Sequence, residues 1–239
     1  MTKTLSGPML VPPMPQPRHL MVLLHGYGSD GNDLIAIGRH WSTSLPDTLF
    51  VSPNAPDACD INPSGYQWFP IQTDRMISRI TGAAQAREVV VNFLIDLWAQ
   101  SGIKPENTVL LGFSQGAMMA LHVGLSLDEK LAGIVAISGA LIPPLGLVEG
   151  SAPKTPVCIL HGALDSVVDP ALSEEAVATL TELGYAVNSH VAPDMGHGIS
   201  EAMLAEAADR AGAESNAFGA SVIAAAPPER SLQALMQAY

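Results

Sequence analysis

Positive charge is scarce in this chain. Lys+Arg number 11 against 23 Asp+Glu, a formal net charge of −12 at pH 7. A surface that acidic repels phosphate backbones and the anionic face of membranes, which removes nucleic acid from the expected partners. Cysteine is nearly absent as well. Cys59 lies in a Pro/Gly/Asp-rich stretch and Cys158 inside an apolar strand pattern, so no disulfide framework is expected and a cytoplasmic, reducing location fits best. No stretch approaches the roughly 20 uninterrupted apolar residues of a membrane span, so no integral membrane association is expected. Met1 to Pro17 carries one Lys and scattered prolines without an apolar h-region, and no secretory signal is expected. Internal repeats are not visible. No His/Cys/Asp cluster has metal-ligand spacing, so no metal is expected.

What remains is a chain of 239 residues, 48% hydrophobic and 14% charged, enough apolar material for one substantial core. Short apolar runs alternate with longer helical patterns, the order that builds a mainly parallel central sheet with helices on both faces, an α/β fold. Strands are predicted at Leu20 to Leu24, Thr48 to Ser52, Thr108 to Leu111, Gly133 to Ile137, Val157 to Leu160 and Ala186 to Ala192. Their apolar runs lack strict alternation, as in strands buried on both faces. Val89, Val90, Phe93, Leu94, Leu97 and Trp98 predict an amphipathic helix stopped by Gly102. Further helices are predicted just after Ser114, from about Ser173 to Leu183, and after His197 with Ile199, Met203 and Leu204 on one stripe. The α/β domain is expected over residues 1–210. Residues 211–239 form an Ala/Gly/Ser-rich tail with a short helical pattern, either a flexible appendage or a docking helix.

One connection is too long for the alternation. Pro53 to Ile80 is rich in Pro, Asp, Asn and Gly yet holds Tyr66, Trp68 and Phe69, and it is expected to be a substrate-side loop. Aromatic residues there either contact substrate or plug the loop onto the core.

The strongest chemical signal is Gly112-Phe113-Ser114-Gln115-Gly116, preceded by the apolar run Val109-Leu110-Leu111 and followed by a helical pattern. In that context the pentapeptide is a nucleophile elbow, whose glycines permit a strained turn that lifts the serine hydroxyl above the sheet. Such a hydroxyl needs a base oriented by a carboxylate, in the chain order Ser, acid, His. Of the downstream histidines, His122 falls within the elbow helix, His161 ends a strand before the acid, and His190 sits mid-strand. His197, flanked by glycines after the last predicted strand, is the expected base. For the acid, Asp165 follows His161-Gly162 at the distance of a short strand-exit loop, whereas Asp169 precedes Pro170 and a helix, where Asp commonly caps. Asp165 is the favoured acid. An oxyanion needs two N–H donors; Gln115 is expected to supply one, and Tyr27, in the loop His25-Gly26-Tyr27-Gly28-Ser29-Asp30-Gly31, the other. That loop lacks both a Walker lysine and the full dinucleotide fingerprint.

These motifs, with Pro53-Asn54-Ala55-Pro56, Trp68-Phe69 and Gly196-His197-Gly198-Ile199, closely resemble the phospholipase/carboxylesterase family that includes acyl-protein thioesterases, over about Gly7 to Asp209. The resemblance implies the α/β-hydrolase fold and a cofactor-free serine carboxylesterase acting on small-molecule or lipid esters, including lysophospholipids and thioesters, often as a homodimer. It places catalysis on Ser114, Asp165 and His197, the oxyanion hole at Tyr27 and Gln115, and Trp68 at the acyl site, with Phe69 beside it as a substrate-binding candidate. Two other readings stay open: a catalytically silent binding protein on the same frame, and an acyltransferase or peptidase using the same nucleophile.

Overall fold

The computed structural model describes residues 3–72, 75–148 and 154–200. In chain order the elements are β1 (Met9–Leu10), β2 (His19–Leu24), α1 (Gly31–Trp41), β3 (Thr48–Val51), β4 (Asp57–Ala58), β5 (Tyr66–Gln67), α2 (Arg75–Ser101), β6 (Thr108–Phe113), α3 (Gln115–Gly124), β7 (Gly133–Ile137), β8 (Val157–Gly162), α4 (Ala171–Glu182) and β9 (Val187–Ala192). Seven strands form one sheet in the order β1-β3-β2-β6-β7-β8-β9. Only β1 pairs antiparallel, against β3; the other described pairings in this sheet are parallel. The mainly parallel α/β architecture read from the sequence is the one observed.

The strand β2 shows why alternation is missing. Leu20, Val22 and Leu24 belong to the core under α2 and α3, Met21 and Leu23 to the core under α1, and all five are 0% exposed. Successive side chains of a strand point to opposite faces, so a strand covered on both sides must be apolar throughout. On α2 the buried Ala83, Ala86, Val90, Leu94 and Leu97 repeat at helical spacing and face this sheet. Burying a Val or Leu side chain stabilises by about 1.5–3 kcal/mol, so this stripe holds the long helix down. Gly102, at φ +71°, ends it in the left-handed region that favours glycine.

Several elements differ from the sequence expectations. The helix α1, not among the expected helices, follows β2 and is capped by Asp30, whose side chain accepts the Asp33 N–H at 3.0 Å. The segment expected as one long loop contains the two-stranded β4–β5 ribbon, and α2 already starts at Arg75 within its expected span. Strand β8 runs through His161 to Gly162, two residues past its expected end, because both pair with β9. The helix expected after His197 and the tail 211–239 lie outside the described residues, Ile199 excepted; Ile199 is buried in the core under α1. Among the described residues no helix is long and apolar enough to cross a membrane.

The chain leaves β2 toward β3 on one side and returns to β6 on the other. The boundary between β2 and β6 is therefore a switch point, where the loops at the carboxyl ends of neighbouring strands part and leave a crevice. Leu24 pairs with Gly112 at that end. The loop carrying Tyr27 and the turn carrying Ser114 thus emerge side by side.

Candidate active site

Ser114 stands between β6 and α3 at φ 54° and ψ −115°. A non-glycine residue in that region is strained, and the strain persists only because the surroundings enforce it. They do so by close packing. A Cβ on Gly116 would run into the carbonyl oxygens of Leu24 and His25, and one on Gly112 into the Gly116 carbonyl. With glycine at both places the elbow presses against the end of β2. The Ser114 N–H is held by the Ile137 carbonyl at 2.9 Å.

Three side chains from separate loops converge here. His197 Nε2 is 3.0 Å from Ser114 Oγ, and His197 Nδ1 is 2.7 Å from Asp165 Oδ2. The Phe113 ring lies 4.9 Å from the imidazole, centroid to centroid. Asp165 Oδ1 accepts the N–H groups of Val167 at 2.8 Å and Val168 at 2.9 Å. Burial by itself would raise the carboxyl pKa, but the N–H groups of Val168, His197 and Val167 outweigh it and hold the group below its ordinary value. Asp165 is thus kept as an acceptor toward His197 Nδ1, while His197 Nε2 faces the Ser114 hydroxyl. Asp169, the alternative acid, is instead at the start of α4, with Oδ1 accepting the Ala171 N–H at 3.0 Å.

The other histidines have different surroundings. His122 Nδ1 is bonded to the Ile142 carbonyl at 2.8 Å inside α3, and His190 lies on β9. His25, 0% exposed, bonds the Gly26 carbonyl through Nδ1 and accepts the Ala55 N–H on Nε2. His161 touches Asp165: its Nε2 is 3.1 Å from Oδ2. Sequence reasoning set His161 aside as a strand-end residue. The His-Gly dipeptide closing β8 four residues before the acid was the signal available for it.

Ser114, Gln115 and His197 open onto a cavity of about 480 Å³ also lined by Tyr27, Phe69, Ile71, Met118, Val167 and Val168. Arg79 is the lining residue with a permanent charge. Tyr27 and Gln115, the expected oxyanion donors, flank Ser114 in this wall, and Gln115 opens the helix α3, whose positive end faces the hydroxyl. The Tyr27 phenol is pushed up to about 12 by burial and by its hydrogen bond to Cys59. It stays a neutral hydroxyl through ordinary pH.

The two aromatic candidates part company. Phe69, 2% exposed and in the same core as Trp68, also lines the cavity. Trp68, expected at the acyl site, is 2% exposed and packs in the core under α2, outside the described cavity lining. Its Nε1–H donates to the His25 carbonyl at 2.8 Å, because a buried indole must satisfy its donor and that carbonyl is within reach. The plug alternative describes Trp68 better than substrate contact does.

A model of the Phospholipase/Carboxylesterase family matches residues 6–210. Esterase YpfH of Escherichia coli (strain K12) is 30% identical over 196 residues, covering 80% of this chain and 81% of that protein. Acyl-protein thioesterase 1 of Neurospora crassa is 31% identical over 210 residues, covering 80% of this chain and 84% of that one. Among solved structures, that of esterase PE8 is 50% identical, with a TM-score of 0.79 over 82% of this chain and 93% of its own. With the fold, the switch-point cavity and these likenesses together, the chain belongs to the phospholipase/carboxylesterase family and is a carboxylic ester hydrolase of the α/β-hydrolase fold.

Proposed function

We propose that this hydrolase works through an acyl-enzyme on Ser114, with His197 as general base and acid and Asp165 as its orienting carboxylate. The observation that carries the reading is the unbroken relay from Ser114 Oγ to His197 Nε2 at 3.0 Å and from His197 Nδ1 to Asp165 Oδ2 at 2.7 Å. His197 takes the proton as Ser114 Oγ bonds to the carbonyl carbon of the ester. The oxyanion is stabilised by the backbone N–H groups of Tyr27 and Gln115, worth about 2.7–4 kcal/mol per donor in comparable sites. Collapse expels the alcohol or thiol, which receives the proton from His197. Water then repeats the sequence on the acyl-serine and releases the acid.

The substrate is an ester or thioester with a short or medium acyl chain. The cavity walls Phe69, Ile71, Met118, Val167 and Val168 are apolar, and a volume of about 480 Å³ is a small-ligand volume. Each buried methylene stabilises the bound chain by about 0.8 kcal/mol until the space is filled. Relatives named as an esterase and as an acyl-protein thioesterase are consistent with both leaving groups.

The test is labelling by an active-serine phosphonate followed by peptide mapping, together with a p-nitrophenyl ester series of rising chain length and a matched thioester. Modification at Ser114 and a chain-length optimum are expected. A labelled protein whose Ser114→Ala form labels equally well would remove the nucleophile from this reading, and a flat series would remove the acyl cavity.

A further inference from the structure

The acid of the relay serves two imidazoles. Asp165 Oδ2, with a side chain that is 0% exposed, lies 2.7 Å from His197 Nδ1 and 3.1 Å from Nε2 of His161, itself 1% exposed. His161 Nε2 is also 3.0 Å from the Val168 carbonyl. Both neighbours of this nitrogen are acceptors, so Nε2 must carry a hydrogen and share it between them. On the far side of the ring, Nδ1 is 2.6 Å from Ser173 Oγ on α4. In the neutral ring Nδ1 then has no hydrogen and accepts from the Ser173 hydroxyl, which is 2.6 Å from it against 3.3 Å from the Gly139 carbonyl.

We propose that His161 is a positioning residue for hydrolysis, a second imidazole donor that holds the Asp165 carboxylate in place and moderates how strongly it grips the proton on His197. It rests on the triad reading above. With the Val167 and Val168 N–H groups on Oδ1, and with His161 and His197 on Oδ2, the carboxylate has four donors and cannot rotate without losing several. Donation from His161 draws electron density from the oxygen that faces His197. The carboxylate is then a weaker acceptor for the Nδ1–H of His197.

Other titratable or charged groups surround the cluster. Asp169 and Arg79 share a shallow depression with Asp165, and Glu174 and His190 border a hollow of about 230 Å³ beside His161 and Ser173. Tyr27 and Arg79 share the substrate cavity with His197. His161 lies at hydrogen-bond distance from the Asp165 carboxylate, 3.1 Å away. Its effect should therefore be separable from theirs by substitution at His161 alone.

The experiment compares the full pH profile of kcat/KM in the wild type, His161→Phe and His161→Gln, with thermal melting as the measure of folding. Phe keeps an aromatic ring without a donor, whereas the Gln amide nitrogen can reach toward the Nε2 position. In His161→Phe the acidic limb moves to higher pH and kcat at neutral pH falls about ten-fold, the scale of one hydrogen bond to a charged group, with KM little changed. His161→Gln moves both back toward the wild type. A folded His161→Phe with the wild-type limb overturns the proposal, since mere packing would lower the melting temperature without moving it. Should His161→Phe not fold, His161→Leu decides, because it too removes the donor to Asp165 while keeping an apolar side chain in the buried site. A limb shifted upward there supports the proposal, and the wild-type profile overturns it. Phosphonate labelling of wild-type Ser114 keeps the two readings apart: labelling with unshifted variants sinks only the role of His161, and no labelling sinks the triad as well.

Discussion

Gln115, the residue after Ser114, holds Trp68 and its neighbour by their main chain. Its Oε1 accepts the Trp68 N–H at 2.9 Å and its Nε2 donates to the Phe69 carbonyl at 2.7 Å, with all three residues buried. One side chain thus ties the connection containing β4 and β5 to the elbow, and the Trp68 indole ties it again to the His25 carbonyl. The cavity wall at Phe69 is therefore set by hydrogen bonds that originate at the turn after Ser114.

Replacing Gln115 with Ala should loosen this wall while sparing the backbone N–H assigned to the oxyanion. A loss of about 1–3 kcal/mol of stability is expected, the scale for stranding buried polar partners, with KM rising more than kcat falls. Denaturant unfolding and steady-state kinetics on one ester measure both. An unchanged KM would show that the clamp does not shape the cavity.

Trp68→Ala and Phe69→Ala should separate stability from specificity. Trp68 lies in the core, so its truncation should cost about 3–5 kcal/mol of stability and leave the preferred acyl length unaltered. Phe69 faces the cavity, and its truncation should shift the optimum toward longer chains. A chain-length series on both variants decides, and a shifted optimum in Trp68→Ala with none in Phe69→Ala would reverse the assignment.

Ser114→Ala and His197→Ala should each lower kcat by several orders of magnitude without loss of fold, because the residues of such a relay act as a unit. Asp165→Asn should come near them at roughly 10⁴-fold, since only the residue bonded to His197 Nδ1 fixes the tautomer. Asp169→Asn should stay close to wild-type activity, as the Asp169 carboxylate is bonded to the Ala171 N–H at the start of α4. Comparable losses at the two aspartates would contradict the geometry.

Stability should fall as the solution is acidified through the ordinary imidazole value of 6.5. Burial lowers the pKa of His25, and the Ala55 N–H occupies the Nε2 lone pair that a proton would need. Burial lowers that of His122 as well, with Arg87 adding to the effect. The folded values lie below the unfolded one, so between them the unfolded chain binds more protons and stability rises with pH. The loss begins near 6.5 and is complete below the folded values. Asp165, also lowered in the folded state, adds a separate loss further down, in the carboxylate range. Unfolding free energies from about pH 7.5 to 5 test this, and His25→Asn should flatten the slope even where it lowers the whole curve.

Much of this was open to reading along the chain, because it depends on neighbours in sequence. The elbow needs glycines at 112 and 116 whatever the rest of the fold does, the order of strands and helices follows from local periodicity, and the succession Ser114, Asp165, His197 is a property of chain order. Even β4 and β5 escaped that reading, since two-residue strands carry no period. The remainder was settled only when distant segments met. Trp68 and Phe69 are adjacent and chemically alike, yet one faces a carbonyl of the β2 loop and the other the cavity, a choice made by the Gln115 clamp 46–47 residues away. His161 looked like the end of a strand until β9 extended β8 and α4 brought Ser173 against the ring, turning its other nitrogen onto Asp165. Periodicity records which face of an element is buried, whereas the partner that a buried polar atom finds depends on the packing of elements far apart in the chain.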